Sequence, residues 1–313
     1  MSFQIISDGS CDLTLEQRAE YQIQVVPFFV SFDGENYYKE IEEIGIREVY
    51  ERMVADSETF PKTSLPSVQN YIDAFLPHVE AGRPIICMTI TTSLSGSYNA
   101  AVNAMEILME EHPDAKISVI NSLGATVSQG IFAIQAAKMR DSGYSYEETV
   151  AILRDEMTDT GRIFFTVGDL TYLQHGGRIG KLAGLAGSVL KIKPMITLKD
   201  GSIDSSGVAR SRKKSLQKVI ELMKSHFEET GENPKDYDFF IGFGYDKEEG
   251  KAFKSEVDQY LREQGVKKES LLVQIGATIC VHTGPYAIGI GLMKKYTSCE
   301  RPEHVKEFVL ETV

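Results

Sequence analysis

What this sequence lacks narrows it first. Its four cysteines (Cys11, Cys87, Cys280 and Cys299) stand far apart and include no C-x-x-C pair. That argues against a disulfide framework or a zinc site and for a reducing, cytoplasmic setting. Cys87 and Cys280 lie in apolar runs and read as buried thiols. No apolar run approaches the roughly 18 residues of a membrane-spanning helix, and the first eight residues carry no basic leader. Positive charge is also scarce. The net charge of −12 suits neither nucleic acid nor a broadly anionic membrane, both of which select basic surfaces. Catalytic signatures are missing too. Ser95-Gly96 lacks the glycine that a G-x-S-x-G elbow needs two residues before its serine. There is no G-x-x-x-x-G-K-[ST] loop, and the six histidines include no H-E-x-x-H. No metal or cofactor is expected.

What is present is an ordinary globular composition, 42% hydrophobic and 25% charged over 313 residues, enough for two medium domains. Apolar runs alternate with helical patterns up to about residue 160, which predicts an α/β fold with a doubly wound, mainly parallel sheet over residues 1–163. A small β excursion is expected at about 23–40, where Asp33-Gly34 separates apolar runs. Pro77 is expected to kink or shorten the helix that Ser67 caps, and residues 146–158 to form one helix. Hairpin signals around Asp200-Gly201 predict a second α/β domain, 164–313, with a mixed or antiparallel sheet.

The stretch Thr91-Thr92-Ser93-Leu94-Ser95-Gly96-Ser97-Tyr98 is the centre of the reading. It packs hydroxyls and a glycine between a strand-like run (85–90) and a helix. In such sheets ligands sit at the carboxyl ends of strands, where helix amides favour an anion. Thr63 and Ser64 also precede a helix start, where an ordinary capped turn is the commoner use. Asp8 and Asp12 at the first strand's end suit a metal or the organisation of hydroxyls, but helix capping by Asp12 or Thr14 is the commoner use of such residues. His282 lies at a turn-like Val281-His282-Thr283-Gly284-Pro285, and Arg210, Arg212, Lys213 and Lys214 crowd the start of a helix capped by Ser211. One alternative takes Ser95 as the nucleophile of a hydrolase or acyltransferase with His282 as its base.

Three motifs together resemble the DegV family of bacterial fatty-acid-binding proteins. They are Lys62-Thr63-Ser64-Leu65-Pro66-Ser67, Ser93-Leu94-Ser95-Gly96-Ser97-Tyr98 and His175-Gly176-Gly177-Arg178-Ile179. Ile6-Ser7-Asp8-Gly9-Ser10-Cys11-Asp12 and His282-Thr283-Gly284-Pro285 support them, so the similarity spans the chain in order. The family pattern often has glutamine at Leu65 and threonine at Ser97. The resemblance implies a non-enzymatic protein that holds one long-chain fatty acid (such as palmitate, stearate or oleate) between two domains. It would present the carboxylate to a fatty acid kinase catalytic subunit, giving an acyl phosphate for phospholipid synthesis. Transient contact with a membrane is compatible with that role. Carried over, Thr63 and Ser95 would bind the carboxylate, with Ser93, Gly96 and His282 nearby. Arg178 would lie at the domain junction and Arg210 on the partner-facing surface. Residues 182–190 and the Met105/Met109 face are then candidate tunnel walls, although plain core packing is the commoner use of such residues.

Overall fold

The computed structural model describes residues 2–185 and 192–302. The chain opens with β1 (Gln4–Asp8), α1 (Leu15–Glu20), β2 (Ile23–Val26), β3 (Phe29–Ser31) and β4 (Tyr38–Lys39). Then come α2 (Ile46–Ala55), β5 (Lys62–Ser64), α3 (Val68–Glu80), β6 (Ile85–Thr89), α4 (Ser97–Glu111) and β7 (Ile117–Asn121). α5 (Thr126–Asp141) and α6 (Tyr146–Ile152) complete this half. Four strands form a parallel sheet in the order β2-β1-β6-β7. β1 and β6 are buried along their whole length because helices cover both faces. Alternation divides their side chains. Ile6 and Cys87 pack under Tyr71 and Phe75 of α3 and Ala101 and Ala104 of α4, whereas Ile5 and Ile86 face Ile131 and Phe132 of α5.

The rest of the chain runs β8 (Arg162–Thr166), α7 (Thr171–His175), β9 (Lys193–Lys199), β10 (Ser202–Ala209), α8 (Arg212–Thr230), β11 (Tyr237–Phe243) and α9 (Lys247–Glu263). β12 (Leu271–Gln274), α10 (Ala277–Thr283) and β13 (Ile288–Lys294) follow. Six strands form a mixed sheet, β10-β9-β8-β13-β11-β12, antiparallel except for the β11–β12 pair. α8 and α9 pack on one face of it, and α5 on the other. α5 is thus shared: its residues join one core with Ile5 and Ile86 on one side and Ile163, Phe240 and Met293 on the other. Each fully buried aliphatic or aromatic side chain there stabilises by roughly 1.5–3 kcal/mol. Contact with β13 is so close that a Cβ at Gly291 would stand 2.4 Å from Val127 Cγ2. Any larger residue there would push the helix off the sheet.

The α/β architecture, with one parallel and one mixed sheet, is as expected. Several local expectations need correction. Ile23–Val26 stays in the parallel sheet, and the excursion begins only after Pro27, which has no N–H for a ladder. There β3 pairs with β4 and with β5, a small antiparallel sheet ordered β4-β3-β5. Pro77 does not end α3, which continues to Glu80. The α-helix from Tyr146 stops at Ile152, followed by a π turn (Leu153–Met157) and a 3₁₀ turn (Thr158–Thr160). Residues 182–190 begin as a 3₁₀ turn, Gly180–Leu185, and 186–190 lie outside the described residues. Met105 and Met109 pack on the α3 side of the parallel sheet and are not among the residues that line the cavity described below. Cys11, Cys87 and Cys280 are buried free thiols and Cys299 is half-buried.

Candidate functional site

Between the parallel sheet, the small antiparallel sheet and the mixed sheet lies a cavity of about 240 Å³. Most of its wall is aliphatic or aromatic, including Ile90, Val127, Ile163, Phe165, Leu198 and Ile288. Thr63, Ser95, Arg178 and His282 also line it. They arrive from four distant places. Thr63 sits on β5, where its pairing with Val30 fixes its register. Ser95 sits in the loop that enters α4 at Gly96. Arg178 follows α7, and His282 occupies the last turn of α10.

The hydrogen bonds of this group are specific. Thr63 Oγ1 lies 2.8 Å from His282 Nε2. Burial is the main cause that pushes the His282 pKa down to about 4, and the Arg178 charge adds to it; the ring is neutral at pH 7. Its Nδ1 has no partner among the described residues and faces Gly176, where a Cβ would stand only 2.2 Å away. That close approach explains the first glycine of His175-Gly176-Gly177, and φ +68 explains the second. Arg178 is held by its own backbone surroundings: Nε donates to Leu94 O at 3.1 Å and Nη1 to Gly176 O at 2.7 Å. Ser95 Oγ accepts the Ser97 N–H at 3.2 Å, leaving its hydroxyl proton available to a ligand.

The other residues of the hydroxyl-rich stretch go elsewhere. Ser93 is not in the cavity wall; its hydroxyl donates to Gly201 O, as does that of Thr91 at 2.8 Å. They clamp the loop to the β9–β10 turn, whose Asp200 and Gly201 both have positive φ. Gly96 N-caps α4, with the Leu65 side chain 3.4 Å from where its Cβ would be. Ser97 Oγ donates to Asp8 Oδ2 at 2.7 Å and meets Tyr71 Oη at 2.6 Å. Asp8 also accepts from Ile90 N at 2.9 Å, Gln129 Nε2 at 2.8 Å and the Ser10 hydroxyl. So Asp8 organises hydroxyls, while Thr14, not Asp12, caps α1. Arg210 is exposed, far from this group in sequence and facing solvent, whereas Arg212 is committed to a bidentate pair with Glu249 at 2.8 and 2.6 Å.

A nucleophile–base pair needs a hydrogen bond between the two side chains. None joins Ser95 to His282 among the described residues; the ring nitrogen faces Thr63. The arrangement offers hydroxyl donors, a neutral imidazole and one guanidinium beside an apolar chamber. Sequence reasoning missed Thr126 and Thr278, which also line the cavity. Neither lies in a motif, and only the fold brings them there.

Comparison with known proteins finds relatives along nearly the whole chain. The family model described as "Uncharacterised protein, DegV family" matches residues 2–295. A DegV domain-containing protein of Clostridium perfringens is 32% identical, over 93% of this chain and 98% of its own. A stearic-acid-binding protein from Eubacterium ventriosum has the same fold with a TM-score of 0.89. It is 44% identical, covering 95% of this chain and 99% of that one. A fatty-acid-binding DegV protein from Thermus thermophilus superposes with a TM-score of 0.81 at 25% identity, covering 94% of this chain and 100% of that one. The chain belongs to the DegV family.

Proposed function

We propose that this protein binds one long-chain fatty acid in the cavity, with the carboxylate at Thr63 and Ser95 and the acyl chain along the apolar wall. The observation that carries this reading is the pairing of one donor-rich end with a largely apolar chamber. A buried carboxylate must be hydrogen-bonded. Thr63 and Ser95 supply donors, His282 orients the Thr63 hydroxyl, and Arg178 adds a nearby positive charge. Ser93 and Gly96 act indirectly, by holding the loop that presents Ser95. The similar protein that binds stearic acid supports the ligand class.

The same reading gives the protein no catalysis of its own. A hydroxyl-bound head group stays open to a phosphoryl donor, whereas a full arginine clamp would hold it. The protein therefore serves as the acyl-presenting subunit of a cytoplasmic fatty acid kinase, feeding acyl phosphate to phospholipid synthesis, with exposed Arg210 on the surface the kinase meets. The two halves, 1–163 and 164–313, act as the two walls of the binding cleft. Native mass spectrometry of the purified chain tests the first claim: a bound mass matching a fatty acid of 16–18 carbons is expected. Lipid-free protein that ignores added octadecanoate would overturn it.

A further inference from the structure

The cavity wall carries a further polar patch. Thr126 and Thr278 line it from the first turns of α5 and α10, among aliphatic neighbours. Behind them lie the carboxyls of Asp12 and Glu40, 5% and 3% exposed. Glu40 is fully engaged: it accepts the Ala277 N–H at 2.6 Å and the Thr278 hydroxyl at 2.6 Å. Asp12 is not. Among the described residues neither of its oxygens has a partner at ordinary hydrogen-bond geometry, and neither does the hydroxyl of Thr126, itself 7% exposed; Thr126 and the Gly276 N–H are the nearest donors to Asp12. The two acids converge on Gly276, where a Cβ would stand 2.4 Å from Asp12 Oδ1 and 2.6 Å from Glu40 Oε1. Burial, and then the charge of Glu40, hold the Asp12 carboxyl well above the usual carboxylate range.

Buried hydroxyls that face a cavity are normally satisfied by something, and a plain methylene chain cannot do it. The head group belongs at the Arg178 end, where the guanidinium and the Thr63 and Ser95 hydroxyls line the cavity. A neutral hydroxyl suits the patch: it can donate to Thr126 and accept from it. We infer that Thr126, backed by Asp12 and Thr278, forms a subsite for a hydroxyl on the acyl chain, so that the protein accepts hydroxylated long-chain acids. The inference rests on the fatty-acid reading above. Thr278 precedes His282 by one turn of α10, about 6 Å along the axis, which places the favoured hydroxyl in the carboxyl-proximal half of the chain.

The test is competition binding by the delipidated full chain, comparing octadecanoate with its 3-, 6-, 10- and 16-hydroxy derivatives. A hydroxyl in a dry apolar tunnel costs about 10-fold or more in affinity, and that loss is expected for the 16-hydroxy acid. The 3- or 6-hydroxy acid is expected to bind within about 2-fold of octadecanoate, or tighter. Thr126→Val should lower the ratio of hydroxylated to plain affinity about 10-fold, and Thr126→Ser should restore it. A 10-fold loss at every hydroxyl position, or a ratio untouched by Thr126→Val, overturns the inference and leaves Thr126 to water. If Thr126→Val does not fold, the position series on the unaltered protein decides alone. If octadecanoate itself does not bind, the fatty-acid reading falls first.

Discussion

Two groups of hydroxyls, which meet in one loop where Ser95 and Ser97 stand two residues apart, are put to opposite uses. Around Asp8, the hydroxyls of Ser10 and Ser97, the Gln129 amide and the Ile90 N–H all point at one buried carboxylate. Nothing there is left for a ligand. At Thr63 and Ser95, each hydroxyl has one protein contact and faces the cavity. The residue types are the same; what differs is whether the fold supplies the acceptor. A closed network is a structural device, and an open one leaves donors for a ligand.

The contrast can be broken at several points. The largest stability loss is expected for Asp8→Ala, which removes the acceptor of five donors at once (the Ser10 N–H and hydroxyl, the Ile90 N–H, the Ser97 hydroxyl and the Gln129 amide), about 3–5 kcal/mol in denaturant unfolding. A loss under about 1 kcal/mol would mean that water replaces the carboxylate easily. Thr63→Val should weaken octadecanoate binding roughly 10-fold to 100-fold while costing at most about 1 kcal/mol in stability; equal losses in both would make Thr63 structural. Ser95→Ala should weaken binding about 10-fold, and neither variant nor parent should turn over an ester. Ser93→Ala should do the reverse, lowering stability by about 1 kcal/mol with little effect on affinity, because its hydroxyl serves the β9–β10 turn. The smallest change is expected for Arg210→Ala, which should spare unfolding and lipid affinity and slow only kinase-dependent phosphorylation.

pH separates the two regions as well. The His282 pKa falls from 6.5 in the unfolded chain to about 4 in the fold, so the unfolded state binds the extra proton between those values. Stability from the neutral ring is therefore present above pH 6.5 and is lost as pH falls toward 4. Asp8, whose pKa burial raises against its hydrogen bonds, acts in the opposite sense: its contribution declines as pH rises through the carboxylate range. Subtracting the pH–stability curve of His282→Asn from that of the parent isolates the histidine term. A flat difference curve between pH 4 and 6.5 would contradict the burial of the ring.

Much of this was legible in the residues because the signals are local. Ser67 and Ser211 cap their helices as hydroxyls before helical patterns do, and Asp200-Gly201 makes its hairpin turn. The hydroxyl-rich loop does bring Ser95 to the cavity wall. What the residues hid is set by distant contacts. Ala-Thr-Ile-Cys-Val-His-Thr carries too many β-branched residues to suggest α10, so His282 looked like a turn residue. α5 is covered by two sheets and is buried all round, which leaves no clear polar face to betray its central position. Ser93 finds its acceptor 108 residues away, a pairing that no spacing rule foretells.

The most direct test of the account is a crystal structure of the chain with octadecanoate. The account predicts carboxylate oxygens within hydrogen-bonding distance of Thr63 Oγ1 and Ser95 Oγ, with His282 Nε2 still on Thr63 and the acyl chain passing Val127 and Ile288. A carboxylate at Thr126 and Thr278 with the methyl end toward Arg178, or covalent attachment to Ser95, would contradict it.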